Sequence, residues 1–278
     1  ESRPGGMMVQ GIPDFRLPRA IVELEIEQIR LLGVDIRCGV TLGSDPALDT
    51  LRREHDAVLL AAGTTQPNLP ELPGCEASGV EHGFLFLKRV NTGETPAIGK
   101  RVVVIGGGFT AVDCARMAKR LGASEVGMFY RRTAAEMYIT PGEVEEMHRE
   151  GIAFTAQVRP VAILAEQGHV TGIRFERTSP GPADASRRRS FVPVPGSAFD
   201  VPADTVLLAT GQRADRSWMP AAWQERLRGV GDGTKALEPG LIAVGDYAAG
   251  ARSLIDAIAD GRAGARAADR FLMGRARF

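Results

Sequence analysis

The chain has little cysteine and no paired cysteines. Cys38, Cys75 and Cys114 are scattered through 278 residues and never approach a Cys-x-x-Cys spacing. That excludes a redox dithiol and a thiolate metal centre. Unpaired thiols of this kind are expected to be small buried hydrophobes in a reducing, cytoplasmic setting. Long apolar runs are missing too: nothing approaches the ~20 residues that span a bilayer, and no segment reads as a signal peptide. Nor is there an excess of charge of either sign. Thirty-four basic residues balance 34 acidic ones, so neither nucleic acid nor an anionic membrane is an expected partner. What is present is ordinary for a globular protein, with 44% hydrophobic and 24% charged residues. The length suits one large or two modest domains.

One segment carries chemistry. Arg101-Val-Val-Val-Ile105 reads as an apolar strand and runs into Gly106-Gly107-Gly108-Phe109-Thr110-Ala111, where a helical pattern opens. This order suits a dinucleotide site. Gly106 permits the tight turn, Gly108 lets backbone approach a pyrophosphate, and Ala111 allows close helix–sheet packing. N–H groups at the start of the helix then face two negative phosphates. The next strand, Ser124 to Tyr130, ends in Arg131-Arg132. An NAD site places Asp or Glu here to accept from the ribose 2′-hydroxyl. Two guanidinium groups pair instead with a 2′-phosphate, so NADP(H) is the expected nucleotide.

Strands and helices alternate along the rest of the chain. Ile21 to Leu32 reads as a surface helix closed by Gly33, and Val34 to Val40 alternates like a strand. Asp56 to Gly63 reads as a buried parallel strand, and Pro141 to Glu150 as a helix. Alternating segments follow between Ala153 and Arg177. Thr178 to Gly196 reads as a polar loop holding Arg187-Arg188-Arg189, and a last helix is expected from about Ala251 to Met273. Two stretches repeat one another: Val58-Leu-Leu-Ala-Ala-Gly63 and Val206-Leu-Leu-Ala-Thr-Gly211. An apolar strand that ends in small residues, used twice, points to two dinucleotide-binding domains, one inserted in the other.

Several longer motifs resemble the glutamate synthase small-subunit family, which includes the FAD/NADPH half of dihydropyrimidine dehydrogenase. They are Gly5 to Pro18, Arg89-Val-Asn91, Gly106 to Ala111, Tyr130-Arg-Arg132, Glu136-Met137, Ala209-Thr-Gly211, Gly245-Asp246 and Asp256 to Arg262. The resemblance implies an α/β fold of two Rossmann-like three-layer dinucleotide-binding domains. An FAD domain in two pieces, 1–95 and 216–278, would surround an NADP(H) domain at 96–215. It also implies cofactor contacts. Glu1 would hold the adenosine ribose of FAD, and Gly6 and Met7, with Ile12 and Pro13 nearby, would lie along the ribityl chain and flavin. Val40 backbone would meet the adenine. Ala62-Gly63 and Gly245-Asp246 would contact FAD, Asp246 accepting a ribityl hydroxyl, and the helix after Ser253 would point its N-terminus at the flavin. Gly211 joins the NADP(H) residues. Hydride would pass from NADPH to FAD without a protein acid or base, and electrons would go on to an iron–sulfur domain or an acceptor subunit. His55, His82, His148 and His169 are therefore expected to be packing or surface residues.

Members of that family carry a first strand, a Gly-x-Gly-x-x-Gly turn and a helix ahead of the position of Glu1, and many carry an iron–sulfur domain before that. The chain is accordingly expected to be a piece of a longer polypeptide, keeping NADP(H) binding and holding FAD poorly by itself. A thiol–disulfide reductase of the same architecture is excluded by the cysteines. A short-chain dehydrogenase is excluded because Ala134, Gly142 and Ala251, not lysine, stand four residues after the three tyrosines. The alternative reading is a nucleotide-binding module without catalysis.

Overall fold

The computed structural model describes residues 1–42, 48–183, 189–228 and 231–274. The chain divides into two compact units: residues 1–6, 28–68 and 212–278 form one, and residues 7–27 with 69–211 form the other.

The larger unit is built on a five-stranded parallel sheet. Its order is Val80–His82, Thr205–Leu208, Arg101–Ile105, Glu125–Tyr130, Ile152–Ala156. Near-continuous apolar runs make these strands because both faces are covered. Alternate side chains show how. Val102 and Val104 face a core shared with the helices Gly83–Asn91 and Phe109–Arg120 through Phe86, Leu87, Val112 and Ala115. Val103 and Ile105 face a second core with Val158, Ile163, Ile173 and Phe175. Those four come from an antiparallel sheet of Val158–Glu166, His169–Ala183 and Phe199–Pro202. Helices, parallel sheet and antiparallel sheet thus make three layers. Residues 69–95, which the sequence boundaries grouped with the first FAD piece, lie in this unit, since Val80 pairs with Val206 in the central sheet.

The smaller unit centres on three strands. Val58–Leu60 runs parallel to Leu241–Val244, which pairs antiparallel with Thr234–Glu238. Leu241 and Ala243 pack with Leu60, Trp223, Leu237 and Tyr247 on one face. On the other, Ile242 and Val244 meet Ala267 and Ala268 of the Leu254–Leu272 helix.

Three local expectations need correction. Val34–Val40 is not a strand. Its ends carry positive-φ glycines, Gly33 at +90° and Gly39 at +75°, and alternation without a partner strand does not make a ladder. The supposed polar loop after Thr178 is largely a hairpin, in which Thr178, Ser179 and Pro180 pair with Pro193, Val192 and Phe191. Its prolines disguised it, because they occupy an irregular, bulged ladder that tolerates a missing donor. Arg187 and Arg188 lie outside the described residues. Of the cysteines, only Cys114 is buried, while Cys75 is half-buried and Cys38 exposed. The expected surface helix does form, as Arg19–Leu31, with Val22 buried and Leu24 65% exposed.

Candidate functional site

The larger unit holds the turn that the sequence singles out. Gly106 follows the Arg101–Ile105 strand, and its N–H donates to Phe129 O at 3.0 Å. The Phe109–Arg120 helix begins with Gly108 as its N-cap. Three consecutive glycines serve three separate physical ends. Gly106 has φ +158°, and a Cβ there would stand 2.5 Å from the Ala209 carbonyl. Any side chain at Gly107 would run into the Tyr130 ring. Gly108 is unlike both: its φ of −117° suits any residue, and a Cβ would meet no protein atom within 4 Å. Neither backbone strain nor packing requires glycine at 108. Open space in front of its backbone is what a diphosphate needs. Ala111 is fully buried behind the turn, and Phe109 and Thr110 are half-exposed at its front.

The end of the next strand closes one side. Tyr130 is 6% exposed, and its hydroxyl donates to Glu136 O at 3.1 Å. Arg131 and Arg132 follow at once. The Gln157 N–H donates to the Arg132 carbonyl at 3.0 Å, and the Thr178 hydroxyl donates to the Arg131 carbonyl at 2.8 Å. The backbone of the pair is therefore fixed. Arg132 Nη1 is buried without a hydrogen-bond partner among the described residues, a donor that a bound anion would satisfy. Thr133 and Glu136 form a capping box just beyond.

Gly211 stands two residues beyond Ala209, whose carbonyl faces Gly106. His82 Nε2 lies 3.1 Å from the Gly211 carbonyl, and His82 Nδ1 accepts from Phe84 N–H at 3.2 Å. Nδ1 as acceptor makes the ring neutral, with Nε2–H donating. Burial lowers the His82 pKa. Sequence reading placed His82 among packing residues, and it does cap the Gly83–Asn91 helix. Its support of the 211 turn had no local signal.

A buried ionic cluster went unread. Arg16 Nε donates to Asp113 at 2.6 Å, and its Nη atoms donate to Glu143 at 2.6 and 3.0 Å. Asp113 lies one turn into the helix that starts at Gly108. Burial pushes its carboxyl up to about 6, against the opposing pull of Arg16. Asn91 Nδ2 donates to the carbonyls of Gln10 and Ile12 at 2.8 and 3.2 Å. Together these bonds fix the segment carrying Met7, Ile12 and Pro13 to the larger unit. The residues lie 97 and 127 positions from Arg16, so no spacing rule could find them.

The remaining expected residues, Glu1, Gly6, Val40, Ala62, Gly63, Gly245, Asp246 and Ser253, fall in the smaller unit. Gly39 N–H donates to the Glu1 carbonyl at 2.8 Å, which brings Glu1 beside Val40. Leu60 and Ala243 are register partners in adjacent parallel strands, so Ala62-Gly63 and Gly245-Asp246 leave the same edge of the sheet. At such an edge a parallel fold leaves room for ligand. Gly63 and Gly245 have φ of +66° and +64°, and a Cβ at either would enter open space. Beside Gly63 the Thr64 hydroxyl is buried with no partner among the described residues, as is Gln212 Nε2. Polar orphans of this kind fit a bound polar group. Asp246 is half-buried, and burial raises its carboxyl pKa while Arg252 N–H donates to it at 3.3 Å. The Ser253 hydroxyl is already committed: it caps its helix in a reciprocal box with Asp256.

Comparison with known proteins agrees with this geometry. The model of the pyridine nucleotide-disulphide oxidoreductase family matches residues 26–261. The β subunit of the NADP(+)-dependent formate dehydrogenase of Moorella thermoacetica is 40% identical over 275 residues, covering 96% of this chain and 39% of its own length. A putative glutamate synthase [NADPH] small chain of Cereibacter sphaeroides is 34% identical, covering 94% of this chain and 67% of that protein. The chain thus spans well under half of the first relative and two thirds of the second. Among solved structures, Mycobacterium tuberculosis FprA in complex with NADPH superposes with a TM-score of 0.80 at 17% identity, over 98% of this chain and 76% of the other. That likeness concerns the fold, and it is the two-domain α/β fold expected from the sequence. Matched across most of its length, with its glycine turn and paired parallel strands in place, the chain belongs to the pyridine nucleotide-disulphide oxidoreductase family.

Proposed function

We propose that this chain is the NADPH-oxidising, FAD-dependent part of a larger electron-transfer protein. The observation that carries the reading is Gly108: open space before a glycine that the protein itself does not require, next to a fixed arginine pair. Gly106, Gly107, Gly108, Phe109, Thr110 and Ala111 would form the cradle for the pyrophosphate, with Gly211 flanking it. Arg131 and Arg132 would grip the 2′-phosphate. For FAD, the candidates are Glu1, Gly6, Met7, Val40, Ala62, Gly63, Gly245, Asp246 and Ser253. Asp246 would accept a hydroxyl, and Thr64 and Gln212 join it because their buried polar atoms lack partners among the described residues. When bound, FAD would supply the redox chemistry, accepting hydride from NADPH for onward transfer of electrons to an acceptor. The residues named here bind and orient, and none acts as acid, base or nucleophile.

The names of the relatives support the nucleotide, since they include an NADP(+)-dependent and an NADPH-dependent enzyme subunit. Their names, a β subunit and a small chain, support a partner subunit, to which, or to an iron–sulfur domain, the electrons would pass. The free cysteines support a cytoplasmic setting. Among the described residues, no helix is long and apolar enough to cross a membrane.

Replacing Arg131 and Arg132 with alanine tests the reading. Each charge-assisted phosphate bond is worth ~1.5–3 kcal/mol. NADPH binding, followed by calorimetry, should therefore weaken far more than NADH binding. Equal losses for the two nucleotides would remove the arginines from the site.

A further inference from the structure

Two ladders of the larger unit stop at one point. In the parallel sheet, Tyr130 and Ala156 are the last register partners of Glu125–Tyr130 and Ile152–Ala156. In the antiparallel sheet, Val158 and Arg177 end the pairing of Val158–Glu166 with His169–Ala183. Gln157 joins the two sheets. Just past the ladder ends stand Arg131 and Arg132 on one chain and Thr178 on the other. Backbone groups that leave a ladder need other partners.

Thr178 and Gln157 supply them. The Thr178 hydroxyl donates to the Arg131 carbonyl at 2.8 Å, and the Thr178 N–H donates to the Gln157 carbonyl at 2.8 Å. The Gln157 N–H in turn donates to the Arg132 carbonyl at 3.0 Å. Thr178 is 5% exposed, so its hydroxyl acts largely out of water, where a hydrogen bond holds geometry more strongly. Gln157 reaches this arrangement through an unusual backbone. Among the described residues, two non-glycines have left-handed φ, Gln157 at +58° and Gln167 at +50°. Gln167 makes a two-residue hairpin turn with Gly168 between Glu166 and His169, a turn that calls for such φ. Gln157 links two different sheets instead. A strained residue of that kind persists where the surrounding bonds over-determine it, and such residues gather at functional sites.

We propose that Thr178 is a positioning residue for nucleotide specificity: its hydroxyl, brought to Arg131 by the left-handed turn at Gln157, aims the Arg131–Arg132 backbone at a nucleotide 2′-phosphate. The inference rests on the reading of the arginine pair as part of an NADP(H) site. It adds that selectivity depends on a buried hydroxyl acting through the arginine backbone. Two long side chains on a loose strand end would lose backbone as well as rotamer freedom on gripping a phosphate. A backbone fixed beforehand spares the first of these losses.

The test is calorimetric titration of the 278-residue chain with 2′,5′-ADP and with 5′-ADP. Thr178→Val should weaken 2′,5′-ADP about three- to tenfold, the effect of releasing one hydrogen bond, and leave 5′-ADP nearly unchanged. Thr178→Ser keeps the hydroxyl and should bind both ligands like the wild-type chain. Gln157→Gly holds a left-handed backbone without steric cost and should keep the preference, whereas Gln157→Val should lose it as Thr178→Val does. Wild-type preference in Thr178→Val, with a selective loss of 2′,5′-ADP in the Arg131→Ala/Arg132→Ala double variant, overturns the role of Thr178 and keeps the NADP(H) site. Equal losses of both ligands in Thr178→Val, tracking a lower melting temperature, make the hydroxyl structural only and overturn it as well. If the wild-type chain shows no preference for 2′,5′-ADP, the nucleotide site falls together with the inference.

Discussion

The two echoing stretches, Val58 to Gly63 and Val206 to Gly211, begin alike and end up in different surroundings. Val206, Leu207 and Leu208 are 1% exposed or less, in the middle of five parallel strands with a layer on each face. Leu59, the counterpart of Leu207, is 37% exposed in a strand whose recorded partner is Leu241–Val244. After the strand the contrast continues. Gly211 has its carbonyl held by His82, whereas Gly63 is followed by a buried threonine hydroxyl without a partner among the described residues. The same run of residues specifies a strand in both places, but the neighbouring layers decide how much it stabilises. The enclosed copy is rigidly supported; the other carries unsatisfied polar groups, as a ligand-dependent region does.

Substitution of the matched leucines should expose this contrast most strongly. Leu207→Ala should cost about 2–5 kcal/mol, the range for a fully buried leucine. Leu59→Ala should cost roughly 1 kcal/mol, because part of its surface is already in water. Hydrogen exchange in peptides from each unit during urea unfolding would read both, and equal costs would erase the distinction.

Acid should come next in size. His82 is neutral in the fold and its folded pKa is lowered by burial, so the unfolded chain binds the proton more readily. Stability of the larger unit should be complete above the unfolded value of about 6.5 and fall as pH drops below it. His82→Gln should flatten that fall. An unchanged acid profile would place the sensitivity in a group other than the Asp113 carboxyl. The sign for Asp113 is opposite: its folded value is raised to about 6, so its contribution is present at low pH and fades as pH rises through about 6.

The smallest effect concerns Thr64. A buried hydroxyl without a partner costs about 1 kcal/mol or more, so Thr64→Val should leave the ligand-free chain equally or more stable. A clear loss of melting temperature would show that the hydroxyl is satisfied after all.

Much of the larger unit was legible because its signals are local. A strand, a glycine turn and a helix follow one another within about twenty residues, and Arg131-Arg132 ends the neighbouring strand. Alternating elements and the repeated run pointed to two dinucleotide-binding domains, and the family resemblance implied their three layers. The two reasons for Gly106 and Gly107, by contrast, lie in Ala209 and Tyr130, which approach from other strands. The Arg16–Asp113–Glu143 cluster and the pairing of Phe191 with Pro180 join residues that sequence order separates or that proline disguises. Val34–Val40 failed for the converse reason, since its alternation had no partner strand to meet.

The central claim is that the turn at Gly108 stays open for a dinucleotide, and Gly108→Val tests it most directly. A Cβ there meets no protein atom within 4 Å, so the variant should fold and melt like the wild-type chain. Calorimetric titration with NADPH should nevertheless show binding abolished, because the valine fills the space that the pyrophosphate needs. Wild-type affinity in a normally folded Gly108→Val chain would contradict the account.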